Sequence, residues 1–140
     1  MDSPSDRSLL EAHYRMSNPF SLLPSLDNFS LLMFYCGSFL KDCVYYLPDY
    51  DAAAVAEQDT ESGMLLCHDI FCPPGRSLPE ILFCLAPAGT QKAVLGFLPE
   101  GISDSLLTPL FNEDDTLFTR IPKENPFHGH RLRFPDLSHA

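Results

Sequence analysis

The apolar positions change period several times along this chain. Between Ser5 and Met16, Leu9 and Leu10 recur with His13 or Tyr14 at helical spacing, which predicts a short amphipathic helix. The segment SNPFSLLPSLDN follows, broken by Pro19 and Pro24, and reads as an apolar linker. Two aromatic and aliphatic runs come next, Phe29 to Cys36 and Phe39 to Leu47, separated by Gly37-Ser38. Their composition predicts a β-hairpin at the centre of the core. Pro48 to Gly63 is acidic with an Ala-rich middle, and reads as an exposed loop holding one or two helical turns.

Met64 to Phe71 predicts a strand apolar on both sides. Simple alternation puts Met64, Leu66, His68 and Ile70 on one face, and Leu65, Cys67, Asp69 and Phe71 on the other. Pro73-Pro74-Gly75 turns the chain. Ser77-Leu78-Pro79-Glu80 then has capping-box spacing for a helix from Leu78 to about Ala86. Lys92 to Leu98 reads as a strand, Ser103 to Phe111 as a short helix, and Thr116 to Ile121 and His130 to Phe134 as extended pieces. The order α-β-β-β-α-β-α-β-β predicts an α+β fold. It would be one small domain over residues 1–140, with a mostly antiparallel sheet, two to four short helices and an extended Pro-rich C-terminal segment. Within it, 1–27 is helix and apolar linker, 28–121 the α+β core, and 122–140 a basic extended tail.

Composition sharpens this picture. A chain of 140 residues, 45% hydrophobic, can bury a core, while 13 prolines keep its elements short. A net charge of -10 repels nucleic acid and favours basic partners. The acids crowd between Asp42 and Asp115, where only Arg76 and Lys92 are basic. The last stretch, with Arg120, Lys123, Arg131 and Arg133, is mildly basic and is placed to lie against the acidic body. The N-terminal MDSPSDRSLLEAHYR carries both signs of charge and does not read as a signal peptide. Met16 to Leu40, broken by Pro19, Pro24 and Asp27, does not read as a membrane span. Cys36, Cys43, Cys67, Cys72 and Cys84 are odd in number and sit in apolar surroundings. They read as reduced thiols of an intracellular protein, in cytoplasm or nucleus.

Candidate chemistry concentrates in Cys67, His68, Asp69 and Cys72. A zinc site needs converging ligands, and alternation along a strand points Cys67 and His68 apart. A nucleophilic thiol needs a base and an electropositive setting, and these surroundings are acidic. His128-Gly129-His130 supplies two imidazoles without a third ligand nearby. Asp49-Tyr50-Asp51 and Glu113-Asp114-Asp115 lack the spacing of a calcium loop. No phosphate-binding glycine loop, G-x-S-x-G elbow or H-E-x-x-H occurs. Neither cofactor nor metal is expected. A cysteine- or metal-dependent hydrolase using Cys67 or Cys72 is the enzymatic alternative.

Three resemblances bear on partners. Leu65-Leu66-Cys67-His68-Asp69 resembles the L-x-C-x-E peptide with which viral oncoproteins bind retinoblastoma pocket proteins, with Asp in place of Glu. Asn18-Pro19-Phe20 is similar to the tripeptide that endocytic EH domains bind. The length, acidity and approximate element order are similar to those of class I type III secretion chaperones. Ala93 to Phe111, AVLGFLPEGISDSLLTPLF, resembles their strand–loop–helix ending. That likeness is one of pattern over about two thirds of the chain, lacks the long C-terminal helix, and implies an acidic homodimer.

The expectation is therefore a non-enzymatic adaptor or regulatory protein, of a make-up compatible with a virus-encoded origin. Its partner is another protein, not nucleic acid or membrane, and a homodimer is compatible. Two apolar segments are expected to carry the contacts: Pro19, Phe20, Leu22 and Leu23 in the linker, and Pro126, Phe127, Arg131, Arg133 and Phe134 near the end.

Overall fold

A four-stranded sheet lies between helices on both of its faces in a computed structural model, which describes residues 3–101 and 132–138. Helix α1 spans Pro4–Tyr14. Its start is set by a capping box at Ser3. The Asp6 amide donates to Ser3 Oγ at 3.1 Å, and the Ser3 amide donates to Asp6 Oδ2 at 3.2 Å. The corresponding bond does not form at Ser77, although helix α3 does run over Leu78–Leu85 as its spacing predicts.

Phe29–Gly37 is helix α2, not the first arm of a hairpin. The run contains Leu and Met but no β-branched residue, so local preference favours a helix once Leu32 and Cys36 share one buried side. Only Val44–Leu47 of the second run is a strand, β1. The predicted aromatic hairpin core is corrected accordingly: Phe34 and Phe39 are exposed.

The centre of the core is the Ala-rich stretch expected to be a loop. Ala52–Asp59 is strand β2, with Ala52 through Ala56 buried. Alanine is a poor strand former in isolation, but its small side chain suits a strand covered on both faces. Asp59 then turns the chain by accepting from the amides of Glu61 and Ser62, at 3.0 and 3.1 Å. Strand β3, Met64–Phe71, returns antiparallel to β2. After α3, strand β4 at Lys92–Leu95 pairs parallel with β3. The sheet order is β1-β2-β3-β4, two antiparallel pairings and one parallel. The fold is a small single α+β domain with a mixed sheet.

Simple alternation fails in β3. Ala56 pairs with Cys67 but Val55 pairs with Asp69, so His68 is an extra residue, a bulge. Every side chain beyond it changes face. Leu65, Cys67, Ile70 and Cys72 consequently share one face, packed with Ile81 and Leu85 of α3. Asp69 and Phe71 point to the other, where Phe71 meets Tyr14, Leu32 and Cys36 of α1 and α2. Residues 132–138 pack beside α2 and β3, with Leu137 in that second cluster. The expected elements at Ser103–Phe111 and Thr116–Ile121 lie outside the described residues. Leu132 to Phe134 take no regular strand.

Candidate protein-binding cleft

The apolar linker is not a free arm. Asn18 is buried, its side-chain amide donates to Asp69 Oδ1 at 2.6 Å, and its Oδ1 accepts from the Phe20 amide at 2.9 Å. Leu22 N donates to Leu98 O and Glu100 N to Phe20 O, both at 2.9 Å, so the linker forms a bridge with the segment after β4. Pro19 and Phe20 are half-buried, Phe20 against the α3 side of the core.

Beyond this anchor the linker and the end of the chain converge. Leu23, Pro24, Ser25 and Leu26 form one wall of a cleft of about 410 Å³, Phe134, Pro135 and Ser138 form the other, and Asn28 closes it. Asn28 stands at the start of α2, and its side chain donates to Ser138 O at 3.2 Å. Leu26 and Phe134 keep 67% and 40% of their surface in solvent, so the opening is rimmed by apolar side chains, and Leu22, next to the linker wall, is also exposed. Ser25 is buried, and its hydroxyl has no hydrogen-bond partner among the described residues. Exposed Asp27 adds negative charge beside the opening.

The C-terminal wall is held beside the sheet by hydrogen bonds and one ion pair. Arg133 Nη1 donates to Leu95 O at 2.9 Å, and Arg133 Nη2 pairs with Asp136 Oδ1. The Asp136 amide donates to Gly96 O at 2.9 Å. Asp136 Oδ2 lies 3.5 Å from His68 Nδ1, and the same imidazole meets Glu57 Oε1 through Nε2 at 2.8 Å. Burial opposes charge on His68, yet the Asp136 and Glu57 carboxylates prevail and raise its pKa above 6.5. Asp136 is lowered: burial works against it, but His68 and Arg133 outweigh that.

Of the residues expected to carry contacts, Leu23 and Phe134 line the cleft, Leu22 stands exposed beside its linker wall, and Arg133 braces the far wall. Pro19 and Phe20 support the linker instead. Pro126, Phe127 and Arg131 lie outside the described residues. Ser25, Leu26, Asn28, Pro135 and Ser138 were not legible as site residues, because only the meeting of distant segments makes them one surface.

The other candidates read as core. Leu65, Cys67 and Asp69 are fully buried in β3, so the L-x-C-x-E-like stretch is not presented to a partner in this fold. Burial pushes the Cys67 thiol well up and the Cys72 thiol up to about 11, the opposite of what a nucleophile needs. The bulge sets Asp69 on the opposite face from Cys67 and Cys72. Among the described residues no cluster of three or more His, Cys, Asp or Glu is placed to hold a metal ion. All five cysteines are unpaired, and among the described residues no helix is long and apolar enough to cross a membrane. No protein-family model, curated protein or solved structure matches the chain.

Proposed function

We propose that this chain is a non-catalytic protein-binding domain that takes an extended apolar segment of another protein in the cleft between the linker and the C-terminal turn. One observation carries this reading: Leu26 and Phe134 stay exposed around an opening whose walls are held by hydrogen bonds and an ion pair. A contact patch of this kind offers apolar area without the cost of ordering loose arms. The partner segment carries Lys or Arg next to its apolar residues. The net charge of -10 and Asp27 at the opening favour that complement. The thiol hydrolase has less support, because its candidate thiols are buried and protonated.

The test is selection of a displayed random-peptide library on the full chain, followed by titration of synthetic winners. Enriched peptides pairing apolar and basic residues are expected. Their binding should be lost in Leu26→Ser and Phe134→Ser and kept in Phe83→Ser, a change of an exposed apolar residue on α3. Absence of enrichment, or binding indifferent to Leu26 and Phe134, overturns the reading. Self-association of the chain abolished by the same two substitutions would replace it with a homodimer.

A further inference from the structure

Phe134, Pro135 and Ser138, which form one wall of the cleft, flank Asp136, and Asp136 is tied to His68 in the bulge of β3. The bulge brings the imidazole between two carboxylates that belong to different parts of the chain, Glu57 on β2 and Asp136 near the C-terminus. A protonated imidazole has an N–H for each of them. A neutral imidazole has only one. The Glu57 contact, at 2.8 Å, is a hydrogen bond, while the Asp136 contact, at 3.5 Å, is an ion pair without hydrogen-bond geometry. The neutral ring therefore keeps its proton on Nε2 for Glu57 and turns the Nδ1 lone pair toward Asp136. Loss of one proton would remove the His68 tie to the cleft wall and leave its bond to Glu57 in place.

We propose that His68 is a proton-operated latch on the binding cleft, closing the C-terminal wall when protonated and loosening it when neutral. This rests on the cleft being the binding site. The charged groups around the ring, among the described residues, are Glu57 from β2, Asp69 beside it on β3, and Asp136 with Arg133 from the C-terminal segment. Both partners of the ring are anionic, and its raised pKa moves the switching range upward from the ordinary 6.5. The sign follows: the latch is fully engaged below that ordinary value and is lost as pH rises through the raised one. Arg133 and the Asp136 amide still hold the wall after deprotonation, so it loosens rather than leaves. Asp69 opposes release, because its ionisation over the same range favours the charged imidazole.

The experiment uses two readouts on the full, reduced chain between about pH 6 and about pH 9. The first is amide hydrogen exchange at Asp136, corrected for the intrinsic pH dependence of exchange, and it needs no ligand. The second is the affinity of a cleft-binding peptide selected as above. Protection at Asp136 is expected to fall on raising the pH through the raised pKa of His68. Peptide affinity should fall with it. His68→Gln should show the loosened level at every pH. Asp136→Asn, which spares the imidazole and its Glu57 bond, should flatten the response should His68→Gln fold poorly. Asp69→Asn should keep it. Protection that stays constant in the unmodified chain overturns the latch whatever the peptide does. A peptide whose affinity is flat while protection changes overturns the coupling to binding. A chain that binds no peptide at any pH overturns the cleft as a site, and exchange then reports separately on the latch.

Discussion

Replacing Asp69 by asparagine should stabilise the protein at alkaline pH relative to acid pH. Asp69 is fully buried in β3. Its Oδ1 accepts from the Asn18 side chain at 2.6 Å and the Ile70 amide at 2.9 Å, but Oδ2 has no partner. Burial lifts its pKa from 3.8 to about 7, with the two hydrogen bonds pulling the other way. An acid whose folded pKa is raised contributes stability below its unfolded pKa and loses it as pH climbs through the folded one. Between about pH 4 and about pH 7 the folded chain therefore becomes less stable on account of this one group. About three pH units at roughly 1.4 kcal/mol each make about 4 kcal/mol. That is a large share of the roughly 5–15 kcal/mol that holds a typical domain together. In Asp69→Asn the side chain keeps Oδ1 as an acceptor and cannot ionise. Its amide nitrogen takes the place of Oδ2, so one buried polar atom remains unpartnered in both proteins. Urea unfolding followed by far-UV circular dichroism, at about pH 4 and about pH 8, gives the stability difference between variant and parent at each pH. That difference should favour the variant by several kcal/mol more at the alkaline pH than at the acid one. Any fixed cost of the amide cancels in this comparison. Parallel stability curves, within about 1 kcal/mol, would refute the claim that Asp69 titrates inside this window.

Two further outcomes test the packing and the thiols. Gly96→Ala should cost roughly 1–3 kcal/mol or more in the same unfolding assay. Its added Cβ would lie 2.6 Å from Asp136 Oδ2 and 2.7 and 2.8 Å from the His68 carbonyl oxygen and Cα, and those backbone atoms cannot step aside. A neutral result would mean that Gly96 does not sit against the His68 backbone of β3 as described. Brief alkylation of the native reduced chain, read by mass spectrometry, should label Cys84 first, Cys43 more slowly, and Cys36, Cys67 and Cys72 only on unfolding. Rapid modification of Cys67 or Cys72 would restore the thiol-enzyme alternative.

The local signals held where local physics decides. An amphipathic helix at the N-terminus, the strand at Met64–Phe71, the Pro-Pro-Gly turn and the helix from Leu78 all follow from spacing and turn chemistry. The linker and the C-terminal segment were legible as apolar and unusual, and Leu23 and Phe134 from them line one cleft. Two elements were not legible. Phe29–Gly37, expected as a strand, is a helix, and Ala52–Asp59, expected within an exposed loop, is a strand, because an apolar run without periodicity takes whichever form its neighbours bury best. An uncharged helix can be covered on one side by a sheet.

What the sequence determined by itself is the class, the acidic charge and the positions of the breaks, since each depends on residues near in sequence or on composition. The tertiary structure alone decided the face of every residue after Cys67, the meeting of Leu23–Leu26 with Phe134–Ser138, and the placing of His68 between Glu57 and Asp136. A single unpaired residue in β3 leaves no trace in apolar periodicity, yet it reverses the faces that follow. Contacts between residues 18 and 69, or 68 and 136, arise only when the sheet closes.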